Sequence, residues 1–436
     1  EIKTYFSQNS ALTDPQIMQL VRSDSCKPDP QPQSTTQRPI DSDITIVGGG
    51  VVGTTLACAL KDSGFKISLI DAQSPAQAAA RQQVYAVSLL SGRIFAGIGV
   101  WDKILPKITT FRQISLTDSG ASEVRFQPGD LTLDRLGYVA EHSPLLGELQ
   151  AFLADAENVC CLSPAQVVRV EYQPDCAEIE LQCNGETQTL RTRLLVAADG
   201  AKSPIRTAAG IRTHGWKYWQ SCITLKIRPE QPHQNIAYER FWPSGPFAIL
   251  PLTENRCNVV WTAPHSEAKA IAQLDDEAFL NRLSRQYGAQ MGRLEIASAR
   301  STFPVQLMHS DRYVLPRLAL IGDAAHCCHP VGGQGLNLGI RDAAALAHVL
   351  QAARQQGEDL GDLRVLHRYE RWRKWENWVI LAFTDLLDRV FSNNWLPLVL
   401  FRQLGLWVLR HLFPVKQLAL KLMTGLLGRT PELAGD

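Results

Sequence analysis

Residues 43–72 read DITIVGGGVVGTTLACALKDSGFKISLIDA. The apolar run ITIV predicts a strand, the glycines a turn, VVGTTLACAL a helix and ISLI a second strand, which makes one βαβ unit. Gly48, Gly50 and Gly53 set the spacing G-x-G-x-x-G where strand gives way to helix. The first glycine permits a tight turn, the second lets the backbone approach a pyrophosphate, and the third lets helix and strand pack closely. Free N–H groups and the helix dipole then face the negative phosphates. Asp71 closes the second strand, where a carboxylate can accept hydrogen bonds from adenosine ribose hydroxyls. The unit predicts a dinucleotide site, with FAD and NAD both open at this point.

Two more glycine–aspartate turns lie further along. LLVAADGAKSPIR (194–206) is a buried strand running into an Asp-Gly turn that holds Asp199, Gly200, Ser203 and Arg206. Alone, that is an ordinary strand end. LALIGDAAHCCHPVGGQGLNLGIRDAAALAHVL (318–350) says more. Its strand ends at Gly322 and Asp323, and a loop with Gly332, Gly333 and Gly335 enters a helix expected over about 336–353. Asp323 can bond a ribityl hydroxyl, and the glycine loop leaves backbone room for a flat ring. The helix N-terminus near Leu336 offers positive potential where a reduced flavin gathers negative charge. The three turns together favour FAD.

In residues and in order, these motifs resemble the class A FAD-dependent aromatic monooxygenases, the p-hydroxybenzoate hydroxylase superfamily, and within it the ubiquinone-biosynthesis hydroxylases. The resemblance spans about 43–353, and GPFAILPL (245–252) is similar to that superfamily's substrate-domain strand. It implies that Gly48, Gly50, Gly53 and Asp71 hold the ADP half of FAD. Asp199, Gly200, Ser203 and Arg206 would serve both FAD and a transient NAD(P)H. Gly322 and Asp323 would bind the ribityl chain, with Gly335, Leu336 and Asn337 facing the isoalloxazine. Pro330 and Gly332 would lie between ring and substrate, and Val52 and Val168 complete the expected cofactor contacts. The implied reaction hydroxylates a small aromatic or prenylated ring with NAD(P)H and O2 through a flavin C4a-hydroperoxide. Two positions depart from the pattern. Gln83 stands where an arginine is usual, three residues before Ala86, with Arg81 near enough to compensate; a second arginine is replaced by Gly147 or lies elsewhere.

Around the motifs, the pattern predicts an α/β fold in pieces. The cofactor-binding, Rossmann-like domain takes 41–108, 145–212 and 303–352. Strands separated by Pro/Gly turns from Trp216 to Thr262, and a strand pair around a Ser-Gly turn in 111–126, predict an inserted antiparallel-sheet substrate domain over 109–144 and 213–302. C-terminal helices fill 353–436, and a polar, Pro- and Gln-rich flexible arm precedes the fold over 1–40. At 436 residues, two domains are the natural expectation. A net charge of +1 removes the electrostatic case for nucleic acid. Ten cysteines without a short-spaced framework suit a reduced compartment, and a cytoplasmic location is expected.

His326-Cys327-Cys328-His329 is not read as a metal site, because adjacent residues converge poorly on one tetrahedral ion. Trp216, Trp219, Trp242 and Trp261 are either core or an aromatic wall for a flat substrate. From 389 to 430 the chain has six basic residues, Arg389, Arg402, Arg410, Lys416, Lys421 and Arg429, and no acidic one, interleaved with WLPLVLF, LWVL and LALKLM. Arg410, Gln417 and Lys421 are expected on one helical stripe, although Pro414 interrupts it. Peripheral membrane contact fits this pattern, with a helical cap or a homodimer surface as the alternative. Rival activities on the same fold are epoxidation or reduction of an isoprenoid lipid; a non-catalytic membrane flavoprotein is the remaining one.

Overall fold

The run SDITIV forms the strand Ser42–Val47, buried on both faces, which is why it reads as a continuous apolar stretch. It pairs in parallel with Ile67–Ile70 on one side and Glu186–Ala197 on the other. Val159–Leu162 extends the sheet beyond Ile67–Ile70; Leu318–Leu320 pairs in parallel beside Glu186–Ala197. The three glycine–aspartate turns therefore leave adjacent parallel strands at the same end. That shared edge is where open α/β sheets bind ligands.

The computed structural model describes residues 39–118, 123–288 and 290–435. The expected arm over 1–40, apart from its last two residues, and the expected turn at 119–120 lie outside the described residues.

The second sheet is built on the long strand Thr213–Pro229, flanked by Arg256–Pro264 and Ser301–Ser310. Gly245–Leu252, Ile236–Trp242, Gln113–Asp118 and Glu123–Phe126 follow in order outward. Its pairings are antiparallel except where Ile236–Trp242 meets Gln113–Asp118 in parallel. One face packs Ile223, Phe247, Val259 and Trp261 against Phe279 and Leu283 of the helix Asp276–Tyr287. The other face looks toward the glycine loop after Asp323. The expected boundary at 303 falls inside Ser301–Ser310, which pairs along Thr213–Pro229 and with His326–Cys327. Those pairings stitch the glycine loop's own chain to the second sheet. A separate three-stranded sheet joins Val84–Val87, Gly137–Glu141 and Thr109–Phe111.

Three helices close the chain: Leu363–Phe391, Leu396–His411 and Phe413–Thr424. The last two meet at a 100° bend. Pro414 explains it, since proline fits the first turn of a new helix but breaks the interior of a continuing one. The bend corrects the expected single stripe: Arg410 and Lys421 are exposed on different helices, while Gln417 donates to the Asp130 carbonyl at 3.0 Å. Among the described residues no single helix is long and apolar enough to cross a membrane.

Candidate active site

The first turn is held by close backbone approach and by the Asp71 carboxylate. Gly48 has φ +114°, and a Cβ there would stand 2.3 Å from the Ala198 carbonyl oxygen. A Cβ on Gly53 would come 1.9 Å from the Gly48 carbonyl oxygen, so both glycines are fixed by close approach. Gly50 is different: a Cβ on it would meet nothing within 4 Å. It caps the helix Val51–Ala59 without a side-chain hydrogen bond or an acidic residue in the first turn, which leaves the N–H groups facing that space. Asp71 accepts from the Gly49 N–H at 2.6 Å and the Gln73 N–H at 2.7 Å. Its carboxylate thus ties the glycine turn to the end of its own strand and keeps lone pairs for a ribose. Val52 does not reach into the open space; it packs between Gly322 and Gly339.

In the second turn Ser203 caps a short helix through the Arg206 N–H at 3.0 Å. Arg206 is buried and donates to the carbonyls of Ala324 and Ala201, both at 2.9 Å. It therefore clamps the second turn to the third. Oδ1 of Asp199 is buried with no hydrogen-bond partner among the described residues, and burial raises its carboxyl above the usual range. Val168 is 56% exposed on Ala165–Tyr172, outside this edge.

The third turn is the most heavily braced. The Gly322 N–H donates to buried Asp342 at 3.1 Å. Asn337 spends its whole amide on bracing. Its oxygen accepts from the Ser88 N–H at 2.8 Å and the Ser91 hydroxyl at 2.7 Å, and its nitrogen donates to the Ala86 and Gly333 carbonyls at 2.8 Å each. No side-chain capacity is left to meet a ring. Gly332 and Gly333 have φ +70° and +61°, and a Cβ on Gly332 would meet only open space. Asp323 faces that space too and is exposed to it; the surrounding protein partly desolvates its carboxyl and raises it, with His326 pulling the other way.

Below the loop lies a chamber of about 500 Å³. Pro330, Gly332, Gly335, Leu336 and Gln83 line one side, and Ala248, Val260, Thr262 and Glu239 of the second sheet line the opposite one. Ile380, Leu409, Leu422 and Met423 from the C-terminal helices finish an apolar end. None of the four tryptophans singled out by sequence lines it: Trp261 and Trp242 belong to the core behind the sheet, and Trp216 and Trp219 are exposed. The aromatic-wall reading is corrected accordingly. Arg81 is also outside, bonded to Gln73 at 2.7 Å.

His326 and His329 diverge: His326 Nε2 lies 2.6 Å from Asp342, and His329 Nε2 lies 3.5 Å from Asp388. Burial pushes the Cys328 thiol up to about 12 and that of Cys327 higher still. Sequence reasoning missed Tyr85, whose hydroxyl lies 2.9 Å from His142 Nδ1 and donates to Gln83 at 2.9 Å in the chamber wall. It also missed Glu239, a lone acid in an alternating strand.

These residues fit FAD: open space in front of Gly50 and Gly332, an unpartnered buried oxygen on Asp199, and Asp323 beside the ring loop. Fold and site define an FAD-dependent monooxygenase. The FAD binding domain family matches residues 41–384. An uncharacterized protein of Synechocystis sp. is 51% identical over 393 residues, covering 90% of this chain and 95% of its own. The ubiquinone hydroxylase UbiL of Rhodospirillum rubrum is 36% identical, with 90% and 91% covered. The 3-demethoxyubiquinol 3-hydroxylase of Escherichia coli is 34% identical, with 88% and 99% covered. Among solved structures, p-nitrophenol 4-monooxygenase PnpA from Pseudomonas putida DLL-E4 shares the fold at a TM-score of 0.76 and 17% identity, covering 89% of this chain and 99% of its own. The chain belongs to the FAD-dependent aromatic monooxygenases, in the family of the ubiquinone-biosynthesis hydroxylases.

Proposed function

We propose that this enzyme hydroxylates a phenolic ring bearing an isoprenoid tail, an intermediate of quinone construction, using NAD(P)H and O2. One observation carries the reading. The chamber begins at the glycine loop and ends against Leu409, Leu422 and Met423, so a polar ring beneath the flavin continues into a greasy channel. FAD, when bound, supplies the chemistry by accepting a hydride from the nicotinamide and delivering one oxygen atom of O2 to the ring. The protein's part is to shut out water and hold the ring against the loop. Purified holoenzyme given a short-chain prenylated phenol should oxidise NAD(P)H faster than without it and yield a product one oxygen heavier, labelled from ¹⁸O2. An epoxidised tail would transfer the reading to the epoxidases, and no labelled product would end it.

The helices that close the channel also supply a surface. Leu396, Leu400, Leu404 and Trp407 follow one another at helical spacing on Leu396–His411, all exposed, with Leu396 at 66% and Trp407 at 55%. Arg410 on the same helix and Lys421 on the next one are exposed as well. Such a face suits the interface of an anionic membrane, where a prenylated substrate resides. Replacing Leu400 and Trp407 together by glutamate should weaken sedimentation with anionic lipid vesicles at least ~10-fold, given roughly 1.5–3 kcal/mol for each large apolar side chain withdrawn from water. Unchanged vesicle binding, or a shift from dimer to monomer instead, would move the surface to the homodimer reading.

A further inference from the structure

We infer that Glu239 is the base that takes the proton of the substrate's ring hydroxyl. The inference rests on the phenolic reading above and is argued from where the sheet puts this residue. In Ile236–Trp242, Glu239 stands opposite Ala248; Ala248 stands opposite Val260, and Val260 opposite Thr224. All four line the chamber, on the side facing the glycine loop. Ala248 is the small member of that row, so the floor dips between Glu239 and Val260. Two strand spacings span about 10 Å, the width of a substituted ring with its hydrogen-bonding groups. One row along, Asn258 also lines the chamber; it is 2% exposed, and its amide has no hydrogen-bond partner among the described residues. A carboxyl and a carboxamide thus flank a dip sized for a flat ring.

Glu239 has no hydrogen bond or ion pair among the described residues, and desolvation alone pushes its carboxyl up to about 8. The other titratable groups in the lining are committed or misplaced. Asp323, Cys327 and Cys328 belong to the cofactor loop, Tyr85 is bonded to His142 and Gln83, and Tyr238 is held protonated by burial. A carboxylate raised this far is matched more closely to a phenol near ~10 than an ordinary glutamate is. In the step itself, the ring O–H bond breaks and the proton passes to a Glu239 carboxylate oxygen. The electron pair stays on the ring oxygen, enriching the ortho and para carbons that accept the new oxygen.

A chromogenic nitrophenol bound to the holoenzyme gives a readout independent of turnover. In the wild type its phenolate absorbance should develop in two coupled steps on raising the pH, because the pair shares one proton; in Glu239→Gln it should develop in one. With a prenylated phenol and NAD(P)H, Glu239→Gln should form hydroxylated product ~10²-fold more slowly while keeping its FAD, and Glu239→Asp should recover part of the rate. Superimposable titrations together with an undiminished product rate would overturn the assignment. A two-step titration in a wild-type enzyme that hydroxylates no prenylated phenol would keep Glu239 as the phenol's proton partner and remove the prenylated-substrate reading instead.

Discussion

Asp342→Ala is expected to lower the free energy of unfolding by ~3–5 kcal/mol and to strip the protein of FAD. The carboxylate is 0% exposed and accepts four hydrogen bonds: from the Gly322 N–H at 3.1 Å, His326 Nε2 at 2.6 Å, Arg373 Nε at 2.8 Å and Asn377 Nδ2 at 3.0 Å. Removing it leaves the buried Arg373 guanidinium without its charge partner on that side and frees the peptide that aims Asp323 at the cofactor. Burial alone would raise this carboxyl; the charges and hydrogen bonds of His326 and Arg373 outweigh it and hold it well below the usual carboxylate range. The sign of the pH dependence follows. A depressed carboxyl contributes its stability above the unfolded value near ~4 and loses it as the pH falls through the folded value. Wild type should therefore lose stability on acidification faster than Asp342→Ala does. Denaturant unfolding at neutral and acid pH, with FAD content read by absorbance, checks both. A variant as stable and as yellow as wild type would show that the network contributes nothing.

The same network shows where sequence reading stops. Gly48, Gly50, Gly53 and Asp71 are legible because one turn needs them at fixed spacing, and its two strands are continuous apolar runs. That the three turns share an edge follows from strand order, and the motifs give strand order away only through the resemblance. Asp342 reads as one polar residue in a helix, since Arg373 and Asn377 lie on another helix. By its place in the motif Asn337 reads as part of the ring's surroundings, yet its partner Ser88 is 249 residues away and only the folded chain brings them together. Glu239 is hidden for another reason. It alternates with Tyr238 and Arg240 in a strand whose sequence does not say which face is wet, and only the pairing register puts it in the chamber. The C-terminal stripe is broken at Pro414, the interruption already visible in the sequence, because proline lets a helix begin but not continue; the size of the break, a 100° bend, is legible only in the fold.

Two glycines two residues apart, Gly48 and Gly50, give the sharpest contrast. Gly48→Ala should cost ~2–6 kcal/mol of stability, adding ~1–3 for a side chain at positive φ to ~1–3 for overpacking. Its φ is +114°, and the new methyl would stand 2.3 Å from the Ala198 carbonyl oxygen and 3.0 Å from the Asp199 nitrogen, so it pushes the first turn off the second. Little FAD should remain bound, because the two turns no longer meet at one edge. Gly50→Ala starts from an extended backbone with φ −73° and no atom within 4 Å of the new methyl. The fold should hold, and the unfolding midpoint of the FAD-free protein should stay at the wild-type value. FAD affinity should nevertheless fall by about tenfold or more, since the methyl occupies the space in which a pyrophosphate approaches the helix N–H groups. Thermal unfolding of the stripped proteins and titration with FAD separate the cases. Gly50→Ala binding FAD as tightly as wild type would mean that the pyrophosphate does not lie against this turn, and the assignment of the first motif would have to be given up.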